Sequence, residues 1–498
     1  MNPSHLVLLP IVIPLTGGIG ALLLRGRPGL QRGWSLGAMA AALAGSVALA
    51  AEVWSRGAPV VYQCGGWPAP YGISLVGDGL SALFVVMTFI VMAAGVVYAV
   101  GSQEAVVRYP AFYPLFLSLA AGLAGAILTG DLFTMYVFAE LLVISGTMLT
   151  AASDDPLGAE AAYKYYYMSL MASFFMLLAV GCLYASYGTL NLADLARRIA
   201  ADPAKPLLLP AVGLLSAVFM VKSAVFPFHF WQPDFHTAAP TAVSAMLSSV
   251  VVKFGVYGFI RMTTLLFVAQ APLIRGVLLT LGVAGILFGG LSAVGTQNVK
   301  RMLAYSTLAQ VGFVLVGIGW GTPPALAAAV VFAFNHSLVK AAMLMIAGAV
   351  ASRAPVKSTA FSAVTGVGRS LPGTGVLFLL GSLGLAGIPP TNGFISKMLL
   401  FRSGAGAERF WILVVIGAAG ALTLIYTLRA FQRIFWKAPA EEVRVKPGGD
   451  SLLAPAMLIG LVVLLGVWAE PLVRSAHNAA GWMTVPQVYI QAVLGGAP

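Results

Sequence analysis

The sequence predicts an all-α, polytopic membrane protein with about fourteen transmembrane helices. Of its 498 residues, 59% are hydrophobic and only 9% are charged, whereas a soluble chain is about a quarter charged. Apolar runs of roughly 20 residues, the length that crosses a bilayer as a helix, recur from end to end. The alternating pattern of a membrane barrel is absent from the sequence.

The predicted spans leave no room for a soluble domain between them. They centre on Leu6–Leu24, Trp34–Val53, Leu80–Val100, Phe112–Leu128, Leu132–Ala151, Tyr163–Tyr187, Leu207–Phe230, Ala242–Met262, Leu273–Gly295, Met302–Trp320, Ala325–Val350, Gly373–Leu400, Phe410–Phe435 and Leu452–Val467. In one of the longer loops, Asn191 precedes LADLARRIA and is expected to cap a short surface helix. Nothing basic precedes the first apolar run, so no cleavable signal peptide is expected.

The basic residues indicate how the chain is oriented. The net charge is +12, but lysine and arginine are scattered between apolar spans, which favours positive charge facing the cytoplasm over a nucleic-acid partner. One set of alternating loops is richer in basic residues and includes Lys300, Arg353 and Arg444; the other includes Arg56 and Arg261. This bias predicts a protein of the cell membrane with both termini outside.

Cofactor chemistry has no motif in the sequence. The two cysteines, Cys64 and Cys182, are far apart and form neither a metal spacing nor a disulfide framework. Motifs for Fe–S ligation, haem attachment or nucleophilic catalysis are missing, and the Gly-rich segments do not follow a strand. We therefore expect no cofactor and no enzyme activity of the chain's own.

Few ionisable residues fall deep inside the spans, and each is a functional-site candidate. Glu140 is the only carboxylate in mid-span. A charge at mid-bilayer costs about 2.5–3.5 kcal/mol on insertion scales, and removing a lysine from water favours its neutral form. A buried lysine can therefore exchange a proton near neutral pH. The other members of the set are His336, Lys222, Lys253, Lys340 and Lys397.

Prolines predict two broken helices, in the seventh and the twelfth span. Pro227 is expected to free the carbonyl of Ser223 beside Lys222. Pro389 and Pro390 interrupt GLAGIPPTNGFISK before Lys397. Broken intramembrane helices line hydrated cavities and recur at transporter ion sites.

Two histidines, His229 and His236, flank the turn that follows Pro227. Two interpretations stay open for them: they let protons in from the cytoplasm, or they only hold the turn. His336 likewise suits proton transfer near neutrality or simple packing.

The order of these features predicts an internal repeat of about five helices. Spans four to eight carry an acid, a broken helix with a lysine and then a second lysine; spans nine to thirteen carry His336 with Lys340 and then a broken helix with Lys397. An odd number of helices per repeat would give the repeats opposite orientations. We expect helices 1–3 over residues 1–110, the two repeats over 111–265 and 266–440, and helix 14 with the tail over 441–498.

Six segments resemble the antiporter-like subunits shared by respiratory complex I, energy-converting membrane hydrogenases and Mrp-type multisubunit sodium/proton antiporters. They are GDLFTMYVFAELLVISG, VKSAVFPFHFWQPDFHTAAPTAVSAML, VVKFGVYGFIR, NVKRMLAYSTLAQVGF, FNHSLVKAAMLMIAG and GIPPTNGFISK. The absence of a long C-terminal extension differs from the A and L types, and lysine rather than glutamate at position 397 differs from the M type of complex I. The N type also has lysine there, but the run DFHTAAPTAVSAMLSSVVVKFGVYGFIR more closely resembles the D-type subunits of Mrp antiporters.

The resemblance implies two inverted five-helix repeats and a hydrophilic axis at the centre of the membrane. Along it, Glu140 would pair with Lys222, and Lys253 would lead through His336 and Lys340 to Lys397 as the terminal exchange site. Alternative interpretations stay open. Glu140 and Lys222 form a permanent salt bridge, Lys253 and Lys397 extend to the membrane surface, or Lys340 has only a structural role.

The function implied is proton translocation coupled to sodium movement, inside a complex with other membrane subunits. A subunit of a redox-driven proton pump and a non-conducting assembly scaffold are the alternatives. The sequence does not reveal a sodium site.

Overall fold

The computed structural model describes residues 3–153, 155–438, 445–446 and 448–495, and this part of the chain is almost entirely helical. Arg444 lies outside the described residues. The α-helices are α1 Leu9–Leu23, α2 Pro28–Arg56, α3 Gly79–Val100, α4 Phe112–Leu128, α5 Leu132–Ala151, α6 Pro156–Tyr187, α7 Leu192–Ala201, α8 Leu208–Lys222, α9 Trp231–Ala238, α10 Thr241–Met246, α11 Val252–Arg261, α12 Ala271–Gly295, α13 Val299–Trp320, α14 Pro323–Arg353, α15 Phe361–Val364, α16 Pro372–Ala386, α17 Asn392–Gly406, α18 Phe410–Phe431, α19 Leu453–Val467, α20 Glu470–Met483 and α21 Pro486–Leu494. Strands β1 Val60–Gln63 and β2 Ser74–Gly77 form an antiparallel pair.

The predicted class, an all-helical multi-pass membrane protein, is confirmed. Ten helices of the described part are long and apolar enough to cross a membrane, and counting two sharply bent helix pairs raises the number to at most twelve. The shorter apolar helices α4 and α8 add to these. The count of fourteen therefore stays a prediction. Asn191 caps α7 as expected, accepting hydrogen bonds from the backbone N–H groups of Ala193 and Asp194.

The two halves of the chain repeat an unusual backbone contact. Asp131 caps α5 and forms an isolated antiparallel bridge with Asn191. Asn298 caps α13 in the same way and forms the same kind of bridge with Ala360. In both cases the partner residue directly precedes a short helix, α7 or α15. The halves therefore share backbone geometry that their residue identities do not reveal.

These two equivalent bridges lie at opposite ends of α3. The first adjoins β2, where the Gly130 N–H donates to the Ser74 carbonyl just before α3 begins. The second borders a cavity that also contains Glu104, just beyond the end of α3. A helix of 22 residues is about 33 Å long, so the repeated contacts face opposite membrane sides. This arrangement agrees with the expected inversion of the repeats.

The first helix break differs from the one expected at Pro227. Helix α8 already ends at Lys222, and α9 begins at Trp231. The Ser223 carbonyl consequently lies at the end of the helix rather than inside a ladder that the proline interrupts. The helix stops early because Ala224 adopts a left-handed conformation, with φ at 51°. The second break agrees with the prediction: α16 ends at Ala386, and α17 starts after Pro389 and Pro390.

The centre of the molecule is formed by two helical segments. The segment Thr241–Leu266, which contains α10 and α11, and the long helix α14 are buried throughout their apolar windows. Lys253 lies on the first and His336 and Lys340 on the second. The fold thus places three of the sequence-selected residues in its interior.

Candidate functional site

Lys253 and His336 meet at the centre of the molecule, across the boundary between the two predicted repeats. The Lys253 Nζ lies 2.6 Å from the His336 Nδ1, and both residues are buried, with 1% and 3% exposure. A hydrogen bond between two nitrogens needs one of them as acceptor, so the two groups share a single proton along this line. The contact therefore has a geometry suited to proton exchange. The sequence could not reveal this contact, because the two residues lie on separate spans.

A π-helical turn positions Lys253. Residues Leu247–Val251 form this turn directly before α11, and such turns are frequent at functional sites. The Ser337 hydroxyl donates to the Ser249 carbonyl within the turn at 2.8 Å. Since Ser337 follows His336 on α14, one short segment both contacts the lysine and supports the turn that carries it.

Lys340 points back to a different helix. Its Nζ donates to the Leu303 carbonyl of α13 at 3.0 Å, and its exposure is 0%. The same carbonyl accepts from the Thr307 hydroxyl at 3.0 Å, and that hydroxyl lies 2.8 Å from the Ser248 Oγ. Lys340 thus joins a line of buried hydroxyl groups.

Lys397 is held by the end of the preceding half-helix. Its Nζ donates to the carbonyls of Leu385 at 3.3 Å and Ala386 at 2.6 Å, and it lies 5.2 Å from the centre of the Phe313 ring. The carbonyl end of a helix is electronegative, which suits an ammonium group. Lys397 therefore has defined hydrogen-bond partners inside the protein and does not extend to the membrane surface.

A small cavity lies between His336 and Lys397. Its volume is about 10 Å³, and its polar lining includes Gln310, Asn335 and Ser396 together with those two residues. This is about the room one water molecule needs. His336 and Lys397 thus border one polar cavity, whereas Lys340, which the prediction placed between them, bonds to the Leu303 carbonyl instead.

The structure does not pair Glu140 with Lys222. Among the described residues, the buried Glu140 Oε1 and the Lys222 Nζ both lack a hydrogen-bond partner, and no ion pair within 4.0 Å joins them. Glu140 is nevertheless close enough to act electrostatically on Lys222. Its neighbours along the outer face of α5, Val137 and Ile144, are 48% and 47% exposed. Glu140 therefore lies at the edge of the subunit, and the permanent salt bridge is not present.

The turns that carry Lys222 and Lys253 are neighbours because α8 and α11 touch at a glycine. A Cβ at Gly255 would overlap the Phe219 carbonyl and the Ser223 side chain. Gly255 is two residues from Lys253, and Ser223 directly follows Lys222. The close backbone contact therefore fixes the distance between the two lysine-bearing turns.

The two histidines after the first break have different surroundings. His229 stacks on Phe226, with ring centres 5.6 Å apart, and meets the edge of Phe288 at 5.0 Å. His236 is fully buried, and its Nδ1 lies 3.1 Å from the Ser244 Oγ. His229 belongs to an aromatic cluster, whereas His236 belongs to the polar interior.

Two basic residues assigned to loops are in fact buried. Arg261 forms a two-armed ion pair with Asp78 at 2.7 Å and lies between the rings of Tyr257 and Tyr489, each 5.1 Å away. Burial alone would raise the pKa of the Asp78 carboxyl, but the charge and hydrogen bonds of Arg261 leave that pKa below its usual value. Asp78 also caps α3, since it accepts from the Ser81 N–H.

Lys300 is the second of these residues, with 5% exposure. Its Nζ donates to the Ala239 carbonyl at 3.0 Å.

Among the described residues, no group of three or more His, Cys, Asp or Glu side chains could hold a metal ion.

Comparisons with known proteins agree over the whole chain. Residues 129–423 match the family described as NADH:quinone oxidoreductase/Mrp antiporter, TM. The chain is 32% identical to the D-type subunit of the Na(+)/H(+) antiporter of Alkalihalophilus pseudofirmus, over 99% of both chains. It is 34% identical to the N-type subunit of the NADH-quinone oxidoreductase of Desulforudis audaxviator, over 96% of this chain and 98% of the relative.

A solved structure of similar fold belongs to the Mrp complex from Dietzia sp. DQ12-45-1b. The TM-score is 0.90 at 27% identity, and the match covers 99% of this chain and 100% of that one. The similarity therefore extends to the C-terminal helices as well as to the two halves.

Proposed function

Because this chain belongs to the NADH:quinone oxidoreductase/Mrp antiporter family, we propose that it translocates protons in a multisubunit antiporter that exchanges them for Na⁺. The chain is a multi-pass membrane protein, and its partners are other membrane subunits, since its relatives are subunits of such complexes. We further propose that both termini face outside, as the loop charges predict.

The contact between Lys253 and His336 carries this proposal. It joins the two halves of the molecule through a pair that shares one proton, at 2.6 Å. Proton transfer from Lys253 leaves neutral lysine and protonated histidine, and the reverse transfer restores the ammonium group. The polar cavity beside His336 then provides the step to Lys397.

On the other side, Lys222 and Glu140 form the switching element. An ammonium group without a hydrogen-bond partner depends on a nearby carboxylate for its charge. A cation or a partner subunit that engages Glu140 at the surface of α5 would weaken this support, and Lys222 would release its proton towards Lys253. Moving one charge across about 100 mV involves roughly 2.3 kcal/mol, which a pKa change of under two units supplies at about 1.36 kcal/mol per unit.

The substitution Lys253→Met tests the proposal in the complete complex, reconstituted into vesicles with a pH-sensitive dye. We expect Na⁺-dependent proton movement to fall by at least about tenfold, since one proton-exchanging group is lost (about 1.4 kcal/mol per tenfold). The matched control is Lys164→Met, because Lys164 is partly exposed and pairs with Glu160 and Asp234 at the surface. Full antiport by Lys253→Met would refute the proton path.

A quadruple variant separates a conducting subunit from an assembly scaffold. Glu140→Gln, Lys222→Met, Lys253→Met and Lys397→Met together should abolish antiport while the subunits still purify as a complex. A scaffold would instead leave antiport at the level of the unaltered complex.

The 34% identity to an N-type subunit of NADH-quinone oxidoreductase favours a second candidate function, in which the same proton path works in a redox-driven pump. The chains that co-purify with this subunit decide between the two. Small membrane subunits without flavin or Fe–S proteins identify an antiporter, whereas a peripheral redox arm identifies the pump.

A further inference from the structure

A large open cavity lies at one end of the helix bundle. Its volume is about 510 Å³. It is lined by the segments that follow α3 and α5, by the turn between α9 and α10, by the start of α13, and by the end of α14 with the segment that follows it. Charged groups of both signs face it, including Glu104, Asp155 and Lys357. We call this cavity the vestibule.

Lys300 forms part of the inner wall of the vestibule. Of the two lysines in the lining, Lys357 is exposed and Lys300 is buried. The Lys300 Nζ is tied to the Ala239 carbonyl in the turn between α9 and α10. The charges that act on it come from Glu104, Lys357 and Asp450. Lys300 is therefore an ammonium group with water on one side and the protein interior on the other.

His236 and Lys340 lie on the segments that neighbour Lys300. His236 precedes Ala239 by three residues, has 0% exposure, and is within electrostatic reach of both Lys300 and Lys340. Its Nε2 has no hydrogen-bond partner among the described residues. Lys340 donates to the carbonyl of Leu303, which is one turn beyond Lys300 on α13.

The carboxylate of Glu104 closes the opposite wall. It accepts hydrogen bonds from the Thr241 N–H at 3.0 Å and the Thr241 hydroxyl at 2.8 Å, and it lies 3.6 Å from the Lys357 Nζ. Thr241 begins the buried segment that carries Lys253. The vestibule thus borders both central helical segments, at the end of the bundle that the loop charges assign to the cytoplasm.

We propose that protons enter the buried chain through this vestibule, with Lys300 as the first proton carrier and His236 as the relay to Lys340. The inference rests on the proposed function. In each step one proton leaves an ammonium or imidazolium group for a neutral acceptor, and Lys300 regains its proton from water in the vestibule. His229 is outside this route, since it lies in the aromatic cluster with Phe226 and Phe288.

The variant Lys300→Arg separates proton transfer from a structural tether. Arginine keeps the charge and a donor for the Ala239 carbonyl, but it does not release its proton. We expect Lys300→Arg in the vesicle-reconstituted complex to lower antiport at least about tenfold, as expected for the loss of one proton-exchanging group, with an unchanged melting temperature. Lys300→Met should lower antiport to the same degree. Wild-type antiport by Lys300→Arg would overturn the proposal, because a tether alone would then suffice.

The neighbouring residue provides the control. Arg301 is exposed and lies beside Lys300 on the same turn, so Arg301→Lys is a basic-for-basic exchange outside the vestibule and should leave antiport within about twofold of the wild type, as surface substitutions usually do.

A labelling experiment keeps the proposal testable if the Lys300 variants fail to assemble. Ser358 lines the vestibule and is half-buried. In a complex whose Cys64 and Cys182 are replaced by serine, Ser358→Cys should react with a charged methanethiosulfonate reagent, and antiport should fall at least fivefold after labelling. Absence of reaction, or unchanged antiport of the labelled complex, would overturn the vestibule as the uptake route.

Lys253→Met distinguishes the two levels of inference. If Lys253→Met loses antiport and Lys300→Arg does not, only the uptake route is wrong. If neither variant loses antiport, the proposed function itself is wrong.

Discussion

Helices α8 and α16, one in each half of the chain, end in the same backbone motif. In α8 the left-handed residue is Ala224, and the N–H of the next residue, Val225, donates to the carbonyl five residues back. In α16 the left-handed residue is Gly387, and the N–H of Ile388 donates to Leu383 in the same way. A proline follows two residues later in both cases, Pro227 and Pro390.

Lys222 and Lys397 are placed differently relative to this shared helix end. Lys222 belongs to the last turn of α8, and its Nζ has no hydrogen-bond partner among the described residues. Lys397 follows the break on α17 and folds back onto the carbonyls of Leu385 and Ala386. In the proposed mechanism the first lysine depends on the nearby carboxylate of Glu140 for its charge, whereas the second is held by backbone dipoles. This difference suits a switch in the first half and a fixed exchange site in the second.

Glu140 and its counterpart provide the strongest test of this difference. Glu140 lies nine residues after the cap Asp131, and Thr307 lies nine residues after the equivalent cap Asn298. We expect Glu140→Gln to lower antiport about 100-fold, because it removes the carboxylate that acts on Lys222, and a change of about two pKa units, at about 1.36 kcal/mol each, corresponds to about 100-fold. Thr307→Val removes the two hydrogen bonds of this hydroxyl, to the Leu303 carbonyl and the Ser248 hydroxyl, but no charge, and should lower antiport less than about tenfold. Both rates are measured in reconstituted vesicles; equal losses would contradict a special role for the carboxylate.

The sequence predicts the central residues well, for a physical reason. Ionisable groups inside apolar spans are costly, so those that remain stand out: Lys253 and His336 were selected from different spans and are in contact. The vestibule lysine, Lys300, could not be selected in this way. Lys300 lies at the start of an apolar helix, the usual position of a loop lysine. It is buried only by segments that are far away in the sequence, around Ala239 and Thr359.

Contacts between residues far apart in the chain also limit what the sequence can predict. The ion pair of Asp78 and Arg261 joins residues 183 positions apart, and no local pattern indicates such a partner. The early end of α8 was also hidden, because alanine gives no signal for the left-handed conformation that Ala224 adopts.

A pair of lysine-to-methionine substitutions should separate the two lysines by stability. Lys397→Met leaves the Ala386 carbonyl without its side-chain donor, whereas the Leu385 carbonyl keeps the Gln310 amide N–H. An unsatisfied buried acceptor costs about 1–3 kcal/mol. Lys222→Met removes a buried charge whose Nζ has no hydrogen-bond partner in the described part of the chain, so stability should stay unchanged or rise. The melting temperatures of the purified complexes measure this contrast. A loss of stability for Lys222→Met as large as that for Lys397→Met would mean that Lys222 has a partner of its own.

The common helix end predicts the smallest effects, with opposite signs in the two halves. Ala224→Gly relieves a left-handed conformation at φ 51° and should stabilise the protein by about 1 kcal/mol or less, since glycine adopts this region freely but loses more entropy on folding. Gly387→Ala should destabilise it by about 1–2 kcal/mol, and the new Cβ would lie 2.5 Å from the Lys397 Cδ. Gly387→Ala should therefore also slow antiport, while Ala224→Gly should not. If both substitutions changed stability in the same direction, the two breaks would not share one mechanism of helix termination.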